Sequence, residues 1–184
     1  MVAEAMRVAD EVGLDKLTLA EVAARLGVRL PSLYKHVAGL DALRGHVAVA
    51  AGRELGAALV AASVGRAGID ALLALSDAYR AFAHRRPGAY AATVRAPDPL
   101  DTPAVAVATA VLKVVFDVLA GFGLTGDDAI DATRGWRALL HGFVAIEAAG
   151  GYRMPQDLDR SFHRLISAFG DSLRGWAVTA ATPV

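Results

Sequence analysis

Ser32, Lys35 and His36 fall on the outward side of a short amphipathic stretch whose inner side carries Leu30, Leu33, Tyr34 and Val37. A hydroxyl, an ammonium and an imidazole displayed together can hydrogen-bond phosphate oxygens or the edges of bases. Other chemistry finds little support in the residue types. The five histidines, at 36, 46, 84, 141 and 163, form no H-E-x-x-H pair, and no Glu is followed three residues later by His. The helical zinc and di-iron signatures are therefore absent. There is no G-x-S-x-G or P-loop to carry a nucleophile or cradle a phosphate. His141 and Glu147 are six residues apart, which places them on different faces of a helix. His84, followed by Arg85 and Arg86, reads most simply as a helix C-terminus. Cysteine is absent, excluding a disulfide framework and thiolate chemistry. No catalytic residue, metal site or cofactor is expected.

The elements that position Ser32, Lys35 and His36 are legible from Thr18 to Leu43. Leu19, Val22, Ala23 and Leu26 recur at i, i+3, i+4 and i+7, one face of a helix. Thr18 precedes them with Glu21 three residues on, the spacing of a reciprocal capping box. Gly27 ends that helix as a residue that tolerates a left-handed conformation. Leu30, Leu33, Tyr34 and Val37 repeat the same spacing. Pro31 lies in the first turn of this second helix, where its missing N–H is harmless. Two short helices across a tight glycine turn form a helix-turn-helix, whose second helix can enter a DNA major groove. The alternative is that Leu30, Leu33 and Tyr34 are core positions of an ordinary helical bundle.

The run LTLxxVAxxLGVxxPSLYxHVxxxxAL, preceded by a short helix ending at Gly13, resembles the DNA-binding domain of the TetR family over about the first 47 residues. The resemblance implies that Tyr34, His36 and the Thr18 cap contact phosphates. It also implies that Arg29, Pro31, Ser32 and Lys35 face bases or nearby phosphates. Two departures stand out. Leu40 occupies a position where the family commonly has a phosphate-gripping lysine, and only Met1 and Val2 precede Ala3, where the family usually has a basic segment. Further on, Trp136 to Gly142 resembles the WxxxxHG element of a TetR-type C-terminal domain.

The 184 residues have 19 basic and 19 acidic side chains, a formal net charge of zero. That lends little general support to DNA binding, which leans on phosphate neutralisation. Residues 1–47 are balanced as well, Arg7, Lys16, Arg25, Arg29, Lys35 and Arg44 facing Glu4, Asp10, Glu11, Asp15, Glu21 and Asp41. Placement matters more than the sum: Arg29, Lys35, His36 and Arg44 are expected to cluster around the second helix. The hydrophobic fraction of 55% owes much to alanine, a strong helix former. Lys113 and Asp117 interrupt the longest apolar run, so a membrane span is not expected. A basic start followed by an apolar core is also absent at the N-terminus. The expectation is an intracellular, cytoplasmic protein.

The predicted architecture is all-α: a three-helix helix-turn-helix domain over 1–47, then a helical-bundle ligand-binding and dimerisation domain over 48–184. A first helix spans 2–12, with Ala5, Val8, Ala9 and Val12 on its inner face. A fourth runs from about Leu40 through Leu59 to a break at Ser63, Gly65 and Gly68. The next extends from Ile69 to Arg85, and a short piece from Tyr90 to Arg95. Three of the seven prolines then mark a loop at 96–103, an adjustable lid. Residues 104–122 are apolar nearly all round, the pattern of a pillar buried on several sides. The last two helices are expected at 128–149 and 157–176.

Two further sites follow as expectations. Gly135, Ala138, Gly142 and Ala145 form a small-residue stripe, and Leu165, Phe169 and Trp176 a large apolar face. Together these predict a homodimer through a four-helix bundle, since small residues near a two-fold axis complement themselves without clashes. Tyr79, Phe82, Tyr90, Phe116, Trp136 and Phe143 fall in the elements around the apolar helix, with Arg95, Arg137 and His141 as polar groups. They predict a pocket for a small hydrophobic effector, although each aromatic taken singly reads more simply as core. Three function classes result. The first is a ligand-responsive repressor binding a palindromic operator on double-stranded DNA. The second is a dimeric interaction module with weakened DNA binding, which Leu40 and the neutral charge favour. The third is a bundle enzyme, for which no motif speaks.

Overall fold

The computed structural model describes residues 1–179, with side-chain surroundings as far as Trp176. Among the described residues the regular elements are α1 (Val2–Val12), α2 (Leu19–Arg25), α3 (Leu30–Leu33), α4 (Leu40–Ser63), α5 (Gly68–Arg85), α6 (Pro87–Ala92), α7 (Thr102–Ala120), α8 (Gly126–Ala148) and α9 (Leu158–Thr179). A 3-10 turn, Leu14–Lys16, lies between α1 and α2. The all-α expectation holds. Compact packing divides the chain into two units that do not follow its linear order: Met1–Ala57 with Arg85–Val111, and Ala58–His84 with the chain from Leu112 onward.

In the first unit, α1 buries Ala5, Met6, Val8 and Ala9. Val12, expected on the same face, is 39% exposed at the helix end. Gly13 then takes φ 92°, a left-handed conformation that stops the helix at glycine's low cost. Leu19, Val22 and Ala23 of α2, Leu33 of α3, and Leu43, Val47, Ala51 and Leu55 of α4 complete the core around Leu17. Fully burying a side chain of this size stabilises by roughly 1.5–3 kcal/mol, so a small three-helix head gains a definite shape from few residues.

Helix α6 starts at Pro87, not at Tyr90, because its N-terminus is capped from a distance. Asp10 on α1 accepts hydrogen bonds from the backbone N–H groups of Gly88 and Ala89, both at 2.9 Å. Its other oxygen accepts from Arg86 Nε at 2.6 Å, and Arg86 Nη1 donates to Glu54 on α4 at 2.8 Å. Glycine at 88 is required by contact: a Cβ there would lie 2.1 Å from the carbonyl carbon and oxygen of Ala9. Helices α1, α4 and α6 are thereby joined by a few polar atoms and one close backbone approach.

In the second unit α5 buries Ala71, Leu72, Leu75, Ser76, Tyr79, Phe82 and Ala83, and α8 buries Ala129, Ala132, Thr133, Trp136, Leu140, Phe143 and Val144. Both lists follow the three-and-four spacing of one helical face. Phe162, Ile166 and Leu173 of α9 close the core. The buried Ser76 and Thr133 hydroxyls satisfy their own helices, Ser76 donating to Leu72 O and Thr133 to Ala129 O, each at 2.7 Å. Ser76 Oγ also accepts the Trp136 indole N–H at 2.9 Å, so that indole is buried with its donor paired.

Helix α7 departs from expectation. Only Val115, Val118 and Leu119 are buried, so it is no pillar enclosed on several sides. An apolar sequence makes burial favourable but does not supply neighbours. Before Val115, the residues of α7 are half-buried or exposed, and Leu112 is 41% exposed. Lys113 and Asp117 do not by themselves exclude a membrane span, since they pair at 2.7 Å. By length and composition alone this helix, with a mean hydropathy of 1.9, is sufficient to cross one.

Candidate nucleic-acid interface

Thr18 adopts extended backbone angles and its hydroxyl accepts from the Glu21 N–H at 3.1 Å. Only this half of the capping box forms. The Glu21 carboxylate turns away to accept from Arg25 Nε at 3.0 Å, because an i,i+4 arginine offers it a charged donor. Gly27 takes φ 65°, Val28 N–H donates to Ala23 O, and Gly27 N–H to Ala24 O. Those two bonds are the Schellman pattern that closes a helix end and sets the entry to the next.

Helix α3 is shorter than the spacing predicts. Four residues are α-helical, and the chain continues as a turn in which His36 and Val37 N–H groups both donate to Leu33 O. Leu33 and Val37 are buried, Leu30 is half-buried, and Tyr34 is 57% exposed. Tyr34 thus leaves the core that helical spacing assigned it, because Leu33 and Val37 already fill the inner side. Pro31, Lys35 and His36 are exposed and Ser32 is half-buried.

The six basic residues of 1–47 separate into two groups. Arg7 pairs with Glu4, and Arg25 with both Glu11 and Glu21. Hydrogen bonds donated to Glu11 and then to Glu21 hold the Arg25 guanidinium above its ordinary value, and the Arg25 bond holds the Glu11 carboxyl below its own. Arg44, expected in the basic patch around α3, instead donates to Asp15 O at 3.2 Å and lies 3.6 Å from Asp41. It fastens the start of α4 to the 3-10 turn. The side chains of Lys16, Arg29 and Lys35 are exposed and make no hydrogen bond or ion pair within the described residues. Two of these three cations flank or follow α3. A face with uncompensated cations beside Ser32, Tyr34 and His36 is suited to phosphate and base-edge contact.

The residues expected to line an effector pocket do not all come together. Tyr79, Phe82, Trp136 and Phe143 are buried in the second unit, where Tyr79 meets Trp136 edge to face at 5.7 Å. Phe116 is half-buried, and Arg137 and His141 are exposed on α8. Tyr90 and Arg95 belong to the first unit, Tyr90 buried in α6 and Arg95 exposed beyond it. A groove of about 270 Å³ in the second unit runs past Val60, Ala71, Val118 and Gly121, and none of the candidate aromatics lines it.

A charged cluster was missed. Arg80 of α5 donates to Glu147 of α8 at 2.6 and 2.9 Å and to Asp159 of α9 at 2.8 Å. Its guanidinium also lies 4.9 Å from the Phe162 ring centre and 5.4 Å from that of Phe143. His84 adds a contact to Glu147 at 2.9 Å. A lone arginine amid the buried spacing of α5 was the available sign, but its partners lie 67 and 79 residues away.

Of the candidate dimer residues, Ala138 and Ala145 are exposed on α8, and a Cβ on Gly142 would meet nothing within 4 Å. Leu165, Phe169 and Trp176 of α9 are half-buried. Gly135 has a partner inside its own chain, since a Cβ there would approach the Phe169 ring at 3.2 Å.

Residues 72–169 match the family described as the tetracyclin repressor-like C-terminal domain. An uncharacterized HTH-type transcriptional regulator of Bacillus subtilis, YobS, is 33% identical over 90% of this chain and 86% of its own. A second, Rv0681 of Mycobacterium tuberculosis, is 39% identical over 77% of this chain, which spans 65% of that longer protein. The crystal structure of a TetR variant from Acinetobacter baumannii in complex with minocycline superposes with a TM-score of 0.72 at 20% identity, covering 96% of this chain and 95% of that one. That last likeness concerns the fold, while the matched domain and the two bacterial relatives establish kinship: the chain belongs to the TetR family of helix-turn-helix transcriptional regulators.

Proposed function

We propose that the chain is a ligand-responsive repressor, acting in the cytoplasm, that binds a palindromic operator as a homodimer and is released by a small hydrophobic effector. Residues 1–47 form the reading head in this proposal, and 48–184 the effector and dimerisation part. The observation that carries it is the division of the basic residues: Arg29 and Lys35 stay unpaired at α3, whereas Arg7, Arg25 and Arg44 are bound to their own chain. Thr18, Pro31, Ser32, Tyr34 and His36 supply the remaining contacts.

The test is selection of DNA by the purified chain from a random pool. A two-fold symmetric site is the expected result, and Lys35→Ala weakens binding to it while thermal stability stays nearly unchanged. For every phosphate that is no longer neutralised, the slope of log K against log salt becomes shallower by about 0.9. Operator affinity indifferent to both Lys35→Ala and Tyr34→Phe would favour the second reading, a dimeric interaction module with weakened DNA binding. The small number of unpaired cations keeps that reading in view. Dimerisation through Ala138, Gly142 and Ala145, with Gly135, Leu165, Phe169 and Trp176 supporting the two helices, is tested by Gly142→Trp. The open space at Gly142 within one chain means that the large ring should divide the dimer without disturbing the protomer. An intact dimer by light scattering would place the interface elsewhere.

The effector part of the proposal rests on Tyr79, Phe82, Phe116, Trp136 and Phe143 in the second unit, with Arg137 and His141 as polar groups. The structural neighbour from Acinetobacter baumannii is bound to minocycline, a precedent for a small-molecule ligand. An effector must bind the DNA-incompetent arrangement more tightly, since equal affinity for both shifts nothing. Release from the selected operator by members of a hydrophobic ligand library is the measurement.

A further inference from the structure

Arg29 occupies the residue at which α3 begins, with extended angles of φ −76° and ψ 140°. That position favours Ser, Thr, Asp or Asn, whose side-chain oxygen accepts an N–H of the first turn. Thr18 does this for α2 at 3.1 Å. An arginine has no acceptor, and α3 starts without a side-chain cap. The guanidinium is not occupied elsewhere: the Arg29 side chain is exposed and enters no hydrogen bond or ion pair within the described residues, unlike those of Arg7, Arg25 and Arg44. A side chain that forgoes local stabilisation, and is left unpaired in a head where other arginines are paired, is placed for an external partner.

Its chemistry narrows that partner. Five N–H donors in a planar fork match two acceptors side by side better than they match a single point charge. In the major groove that pair of acceptors is N7 and O6 of guanine, and the first residues of a recognition helix are those that meet base edges. Lys35, a compact ammonium beyond the last residue of α3, lacks the fork and suits a phosphate as well as a base. Resting on the DNA-binding reading above, we propose that Arg29 is the specificity-determining residue of the chain and reads one guanine in each half of the operator.

The experiment is selection from a random duplex pool by the full chain and by Arg29→Ser, with thermal unfolding of both. Serine restores an acceptor at the start of α3, so Arg29→Ser should melt at or above the parent temperature. The parent motif should contain one guanine per half-site that becomes degenerate in the variant, and discrimination at that base should fall by roughly 5- to 150-fold. Arg29→Lys, which keeps the charge and loses the fork, should relax the same base while the salt dependence is retained. An unchanged motif in both variants overturns the assignment. A uniform loss of affinity over all sequences, with a shallower salt slope, also overturns it and makes Arg29 a phosphate contact. A parent chain that selects no site overturns the DNA-binding reading itself, and this assignment with it.

Discussion

Each compact unit holds an arginine between two carboxylates on neighbouring helices, yet the two clusters are built differently. In the first unit Arg86 joins Asp10 and Glu54, and Asp10 also receives two backbone N–H groups at the start of α6. In the second, Arg80 joins Glu147 and Asp159 while two phenylalanine rings lie against its guanidinium. Arg80 is the less exposed, at 13% against 26% for Arg86. The polar cluster orders a short helix that brings little apolar area of its own; the aromatic one lies in a core that large side chains already define. Charge therefore does positional work around α6 and adds to packing around α8 and α9.

The largest predicted effect is in the second unit. Arg80→Ala should destabilise by about 3 kcal/mol, because removing that partner leaves a largely buried Glu147 carboxylate with only its contact to the exposed His84. It also strips the cation from both rings. Urea unfolding followed by tryptophan fluorescence reports it through Trp136, which is buried in the same unit. A destabilisation below about 1 kcal/mol, the range of exposed ion pairs, would mean that the cluster is solvated and that the contrast with Arg86 is empty.

A smaller effect is expected in the first unit. Asp10→Ala removes the acceptor for Arg86 and for the Gly88 and Ala89 N–H groups, and should cost about 1–2 kcal/mol. The informative readout is local. Amide hydrogen exchange should rise in α6 and at the end of α1 far more than in α8. Exchange rising evenly along the chain would show that Asp10 supports the whole fold, not the seating of one helix.

The smallest effect is a dependence on pH. The hydrogen bond from Arg80 is the main reason that the Glu147 carboxyl is held below its ordinary value of 4.5. Because the unfolded chain binds that proton more readily, the stabilisation is fully present above the ordinary value. It fades as pH falls through the lower value of the folded state. Glu147→Gln should then flatten the fall in stability on acidification below pH 4.5. An acid limb of unchanged steepness would assign that fall to other carboxylates.

The reading head is largely legible in its residues. Thr18 caps α2, Gly27 ends it and Pro31 sits in the first turn of α3. Each of these features depends on residues within one or two turns. Buried positions Val22, Ala23, Leu33 and Val37 follow from helical spacing. The same spacing misjudges Tyr34, which follows the last residue of α3 where Leu33 and Val37 already fill the inner side. It also misjudges α7, where apolar composition suggests enclosure that neighbouring helices do not provide.

The sequence alone, then, determined the kind of element along most of the chain, the start and stop of α2, the start of α3, and the family. Helical period and turn chemistry are local properties, written in residues a few positions apart. Tertiary structure alone decided which cations remain unpaired, where α6 begins and what surrounds Arg80. The partners of Arg25, Arg86 and Arg80 lie 14, 76 and 67 residues away. No local pattern encodes such a pairing, because the attraction exists only once packing has brought the charges within reach and taken them partly out of water.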